Sequence, residues 1–290
     1  MKMKKIIATV LALVLVAGIS IGGTVAYLQD TDSDVNVMTM HNVHIAQEEY
    51  ERVFDANGEV TGMQEFDNNV NHPLYPAVIT GDATARNAWA PANPANQADL
   101  FWYKNYLSAD YPGGNGLWEN LNNVQDKFVF VKNTGTTDAY YRTIILLEAD
   151  TTGATNSITG QSLIHLNTNS HSQFTWANNT GDITDETMVV TVNGKKYTVE
   201  VATCNVALEP GKISRPSLLQ IGMDQEATNE YVAQFGETYD VLVLSQAVQT
   251  AGFENANDAL NTAFGEVTAE NVQNWFADIA PVNQQPILND

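Results

Sequence analysis

The chain has 290 residues, a formal charge of −21 and a single cysteine. A chain this acidic repels phosphates and anionic lipid headgroups, which argues against nucleic acids and membrane surfaces as partners. One cysteine excludes an internal disulfide, and the length suffices to bury a sizeable core without one.

The first 26 residues have the pattern of a secretory signal peptide. Three lysines within the first five residues precede an uncharged, mostly apolar run over 6–21, which is shorter than the ~20 residues of a membrane span. We predict cleavage between Ala26 and Tyr27, since small residues stand three and one positions before that bond. The released chain then has no stable membrane span and a charge of −24, because the removed segment contains three lysines and no acid. The alternative is an uncleaved membrane anchor, although no basic flank follows the run.

Alternation of apolar and polar residues predicts a mainly β domain over 27–290. The first predicted strand covers 35–49, and its apolar positions are Val35, Val37, Val43 and Ile45. A hairpin is predicted next, with Asn57-Gly58 in its turn, and a second one around Asn193-Gly194, because Asn-Gly favours tight turns. Further strands are predicted over 126–132, 139–149, 188–192, 195–201 and 238–248.

Residues 64–125 lack this alternation and predict an irregular insertion. The segment is rich in Asn, Pro, Ala, Gly and aromatic residues. One interpretation is a platform for a glycan or a peptide, with Trp102, Tyr106 and Trp118 as candidate surface-binding aromatics. The other is that the aromatic side chains attach a loose segment to the rest of the domain.

Two short amphipathic helices are predicted over 254–279. Apolar residues recur at helical spacing on each side of Gly265, which ends the first helix, and Thr268 is placed to cap the second before Pro281. The simplest role is a lid over an edge of the β domain. A groove that binds a partner is the alternative.

No catalytic, cofactor-binding or metal-binding residue is assigned from the sequence. The motif His-Glu-x-x-His is absent, and His41 and His44 are three apart in a predicted strand, so they face opposite sides. Cys204 lies in an alternating stretch, which favours a buried apolar role over a reactive thiol. Residues 30–34 (DTDSD) begin like a calcium loop, but the glycine and glutamate that should follow are replaced, so only weak divalent-cation binding is expected.

Three blocks of sequence resemble a known family. They are 23–39 (GTVAYLQDTDSDVNVMT), 128–142, which includes FVFVKNTG and DAYYR, and 246–265, which begins QAVQTAGF. Together they resemble proteins with a SipW-dependent type of signal peptide, the TasA and camelysin (CalY) relatives of Gram-positive bacteria. The resemblance implies a jelly-roll-like antiparallel β-sandwich, cleavage by a SipW-type signal peptidase, and a location at the cell surface or in the biofilm matrix.

The resemblance leaves two main functional classes. TasA-like proteins form fibres, and here the strand over 35–45, released by cleavage, is expected to add to a sheet edge of the next subunit or of a sister matrix protein. Camelysin-like proteins are classed as extracellular metalloproteases, which is the second possibility. The third is an adhesin that uses the aromatic insertion. We expect the structural protein, without a cofactor and not an enzyme.

Overall fold

The computed structural model describes residues 29–32, 43–57, 60–67, 72, 74–77, 124–158, 160, 162–169, 172–177, 188–236 and 238–277. Three predictions lie outside these residues. They are the cleavage site at Ala26 and Tyr27, the first half of the predicted assembly strand with Val35 and Val37, and the candidate binding aromatics Trp102, Tyr106 and Trp118.

The described residues form thirteen strands and three helices. The strands are β1 (Gln29–Asp32), β2 (Ile45–Phe54), β3 (Val60–Glu65), β4 (Pro76–Ala77), β5 (Val124–Asp126), β6 (Phe128–Asn133), β7 (Ala139–Glu148), β8 (Ile164–Thr168), β9 (Phe174–Ala177), β10 (Val189–Val192), β11 (Lys195–Leu208), β12 (Leu218–Asp224) and β13 (Val241–Gln249). The helices are α1 (Asn229–Ala233), α2 (Ala256–Phe264) and α3 (Ala269–Phe276). The predicted mainly β fold with antiparallel sheets is confirmed, while its jelly-roll connectivity stays a prediction.

The largest sheet has six strands in the order β1-β13-β7-β11-β10, with β9 also paired to β11. Strand β7 lies at its centre, and its residues 144–147 are entirely buried apolar residues. A strand that is buried on both faces reads as a continuous apolar run, which is why this stretch of the sequence does not alternate.

A second layer covers the inner face of this sheet. It contains the three-stranded sheet β3-β2-β6 and a four-stranded sheet in which β12 pairs with β4, β5 and β8. Ile145 and Leu147 of β7 pack in one cluster with Val129 of β6 and with Leu218 and Ile221 of β12. The two layers therefore enclose a common core, as in a β-sandwich.

Helices α2 and α3 cover the outer face of the six-stranded sheet, which confirms the predicted helical tail. Val272 and Phe276 of α3 pack on Ile144 and Leu146 of β7. The cap predicted at Thr268 is confirmed, and Asn255 caps α2 in the same way: both side chains accept hydrogen bonds from backbone N–H groups of the first turn. Gly265 ends α2 with a positive φ of 89°, a conformation that favours glycine.

The hairpin predicted at Asn193-Gly194 is also confirmed. Its two turn residues have φ angles of 50° and 85° and join β10 to β11, as a type I′ turn requires. The first predicted strand is displaced, however. Strand β2 begins at Ile45 and continues to Phe54, because its first half pairs with β6 and its second half pairs with β3.

Candidate assembly edge

Strand β1 lies on the outer side of β13. The pairing is antiparallel and places Gln29 opposite Val248 and Asp32 opposite Ser245. On its other side β13 pairs with β7 along its whole length. Among the described strands β1 is therefore the last one on this side of the sheet, and we call the outward-facing backbone of β13 the β13 edge.

The β13 edge belongs to a rigid part of the molecule. Leu244 is 1% exposed, and Ser245, Ala247 and Val248 are not exposed at all. Buried strands with many packing contacts open only when the whole domain unfolds. The edge thus presents a fixed row of backbone groups to whichever strand covers it.

The strand that covers this edge is entirely polar. Its sequence is QDTD, so it brings no apolar side chain to the pairing. Its attachment therefore depends on backbone hydrogen bonds, each of which contributes about 0.5–1.5 kcal/mol net. An equivalent strand from another molecule would form the same bonds, so exchange leaves the hydrogen bonding unchanged and its main cost is the entropy of association.

A polar chain beneath the edge joins β13 to the second layer. The Gln47 side chain on β2 accepts a hydrogen bond from the Ser245 hydroxyl at 2.8 Å and donates one to the Val243 carbonyl oxygen at 3.5 Å. The Ser245 hydroxyl also lies 3.3 Å from that of Thr143 on β7. Buried polar groups that are satisfied in this way fix the relative positions of the elements that carry them.

The second half of the predicted assembly strand lies in the core of its own chain. Val43 is 0% exposed and Ile45 is 6% exposed. They pack in a cluster with Val131 of β6, Tyr141 of β7 and Ala247 of β13. The structure therefore separates these two residues from any segment that could leave the domain, and a donated strand would have to come from the residues before Val43.

Two of the three histidines that the structure describes, His72 and His165, each contact one carboxylate. His72 lies 2.7 Å from Glu51, and His165 lies 3.0 Å from Asp224. Burial tends to raise the pKa of Asp224, but hydrogen bonds from the Glu226 backbone and from His165 outweigh it and lower the pKa. Among the described residues, no three His, Cys, Asp or Glu side chains lie together in a way that could hold a metal ion.

The sequence analysis did not identify the buried acidic and basic side chains, of which Glu200 and Arg142 have shifted pKa values. Glu200 on β11 is 3% exposed, one of its carboxylate oxygens has no hydrogen-bond partner, and burial raises its pKa to about 8. Arg142 on β7 is 1% exposed, and burial lowers its pKa to about 10. Each lies in a stretch of apolar residues that are buried. A charged residue within such a stretch is the one sequence signal that could have identified them.

Comparison of the chain with protein-family models, with curated proteins and with solved structures finds no match. Within the described part of the chain, no helix is long and apolar enough to cross a membrane.

Proposed function

We propose that this protein is an exported structural protein of the cell surface or the biofilm matrix, which assembles head to tail by strand addition at the β13 edge. The observation that supports this most directly is the pairing of β1 with β13. The first strand after the predicted cleavage site covers the outer edge of the main sheet, so the segment released by processing is also the segment that occupies a docking edge.

In this proposal, cleavage of the signal peptide controls when β1 of one subunit is replaced by the same segment of another subunit. Cleavage after Ala26 would leave two residues before β1, whereas the uncleaved chain carries 26 further residues, with the apolar run over 6–21, at the same end. The released segment of one subunit replaces β1 on the next subunit with the same antiparallel register. Val35 and Val37 follow β1 in the sequence and can add apolar contacts that the QDTD strand cannot supply.

The geometry of such a contact leads to a filament. The donor segment and the acceptor edge are different surfaces of the same chain, so each subunit that accepts a strand still has its own strand to donate. A heterologous contact of this kind propagates unless its rotation closes a ring. The resemblance to TasA-like proteins supports the same conclusion, and it implies a SipW-type signal peptidase and sister matrix proteins as partners.

The other two functions receive no support from the described residues. The camelysin-like protease would require a metal centre, and His72 and His165 each contact a single carboxylate. The adhesin would use aromatic residues in a segment outside the described residues.

Proline substitutions in β1 test the proposal. Successive backbone N–H groups of a strand point to opposite sides, so one of the two groups at Asp30 and Thr31 faces β13. The double substitution Asp30→Pro, Thr31→Pro removes both groups and therefore removes that donor. The mature chain starting at Tyr27 should form fibres at rising concentration, seen by electron microscopy, and the double proline variant should not. The matched control, Asp30→Ala with Thr31→Ala, keeps every N–H group and should still assemble. Fibres formed equally well by the proline variant would refute strand addition.

A further inference from the structure

On the opposite side of the six-stranded sheet, β9 and β10 both pair with β11, and the hairpin determines which backbone groups of β10 face outward. The two-residue turn makes Val192 and Lys195 a hydrogen-bonded pair, and such pairs alternate along an antiparallel ladder. Val190 therefore bonds with Tyr197, while the backbone N–H and carbonyl of Thr191 point away from β11. We call this outward-facing backbone the β10 edge.

Helix α3 occupies this edge. The side-chain oxygen of Gln273 accepts a hydrogen bond from the outward N–H of Thr191 at 3.1 Å. The neighbouring helix residues Val272 and Phe276 are 0% exposed and pack with Val190 and Val192 of β10. The helix thus covers one face of β10 and satisfies a donor that a further strand would need.

The sequence of β10 explains why such a cover matters. Val-Val-Thr-Val consists wholly of β-branched residues, which have the highest tendency to form strands. An open edge of this composition is a template for pairing with another chain, and Val189 remains 49% exposed at its start. By contrast, among the described residues it is the polar strand β1 that covers the β13 edge.

We propose that α3 is an edge guard, which closes the β10 edge against strand addition by a second copy of this chain. This inference rests on the proposed strand addition for its biological purpose. The two edges then have different roles: β13 has a cover that is exchanged, and β10 has a cover that is permanent. A chain with both edges open would grow from both sides of its sheet and form lateral aggregates instead of a single-file fibre.

The guard is tested in a full-length mature chain that cannot donate its strand, the Asp30→Pro, Thr31→Pro variant. To this background we would add Val272→Glu, which places a carboxylate in the apolar contact between α3 and β10. Asn274→Glu is the matched control, because it adds the same charge at an exposed position of the same helix. Light scattering and thioflavin fluorescence should detect β-rich assemblies for Val272→Glu and none for Asn274→Glu.

A substitution in β10 then distinguishes pairing at the edge from adhesion of an exposed apolar face. Thr191→Pro removes the outward N–H and should return the Val272→Glu variant to a monomer, whereas Thr191→Ala keeps the N–H and should not. A Val272→Glu variant that stays monomeric, or assemblies that persist with Thr191→Pro, would overturn the guard. Because the comparison is made between variants that share the same β1, its result does not depend on whether strand donation itself occurs.

A milder change covers the case in which Val272→Glu unfolds the domain. Gln273→Ala removes the hydrogen-bond acceptor, so hydrogen exchange at the Thr191 amide should become about two- to tenfold faster. Gln273→Glu keeps a side-chain oxygen in reach and should preserve the slow exchange. Equal exchange rates in the Ala and Glu variants would show that α3 does not protect this edge.

Discussion

The guanidinium carbon of Arg142 lies 4.7 Å from the centre of the Trp275 ring. The same side chain donates hydrogen bonds to Gln246 at 2.8 Å, to Asn261 at 3.0 Å and to the carbonyl of Gly265 at 3.1 Å. None of these partners is a carboxylate. An aromatic face and the C-terminal carbonyl of α2 instead supply the negative potential for a buried cation. Arg142 thereby attaches both C-terminal helices to the central strand of the sheet.

Loss of this guanidinium should destabilise the domain. Arg142→Met removes the charge and leaves one buried and two partly buried acceptors without this donor, which predicts a decrease of about 3 kcal/mol in the free energy of unfolding. Urea denaturation, followed by tryptophan fluorescence, measures this free energy. The control is Arg215→Lys, a substitution of a less buried arginine. A decrease below ~1 kcal/mol would mean that Arg142 does not hold the helices in place.

Glu200 should make the protein more stable in acid than at neutral pH. Burial raises its pKa from 4.5 to about 8, so between these values the folded chain holds a proton that the unfolded chain has released. The free energy of unfolding should therefore fall as the pH rises from 4.5 to 8, by up to ~1.4 kcal/mol for each unit of pKa difference, and then level off.

Glu200→Gln provides the check on this pH dependence. The amide cannot ionise, so urea denaturation between pH 5 and pH 8 should show a much smaller loss of stability than in the unsubstituted chain. The exposed residue Glu209 offers a matched control, since Glu209→Gln should leave the pH dependence unchanged. If the unsubstituted chain and Glu200→Gln followed the same pH profile, another group would have to carry the effect.

The apolar residues of the predicted assembly strand should divide into two groups. Ile45→Ala opens a cavity in the core and should lower the free energy of unfolding by about 2–5 kcal/mol, with a smaller loss for Val43→Ala. Val35→Ala and Val37→Ala should leave the stability of the monomer unchanged and weaken assembly. Chemical denaturation of the monomer, paired with sedimentation of the assembled form, separates the two effects. A loss of monomer stability in all four variants would refute this division.

The sequence predicted much of the fold, but not these sites. The turn at Asn193-Gly194 and the cap at Thr268 could be predicted because each depends on residues that are close together in the sequence. Strand β1 overlaps residues 30–34, whose sequence resembles the start of a calcium loop and does not predict a strand. Most of its residues have little tendency to form strands. The strand forms because it pairs with β13, whose residues lie more than 200 positions away in the sequence.

Arg142 and Glu200 escaped prediction for a related reason. Each lies in a β7 or β11 stretch that is buried on both faces, where alternation no longer indicates which side chains are inside. The partners of Arg142 come from β13, α2 and the segment after it, so no spacing within the sequence could have revealed the arrangement. A site that is built from tertiary contacts of this kind can be recognised only once the fold is known.

Charge should oppose assembly at low ionic strength. The mature chain is predicted to carry a charge of −24, so subunits repel one another over a Debye length of about 10 Å at 0.1 M salt and about 30 Å at 0.01 M. The critical concentration for fibre formation should therefore fall as sodium chloride rises from 0.01 to 0.2 M, as measured by sedimentation. A critical concentration that rose with salt would indicate that ion pairs, and not strand pairing, hold the subunits together.

The most direct test of the proposed assembly compares two chains by electron microscopy over a range of concentrations. One starts at Tyr27 and contains the released segment. The other starts at Val43 and keeps the buried residues Val43 and Ile45, and circular dichroism would check that both are folded. Strand addition at the β13 edge predicts fibres from the first chain and monomers from the second. Fibres of the same form from a folded chain that starts at Val43 would contradict it.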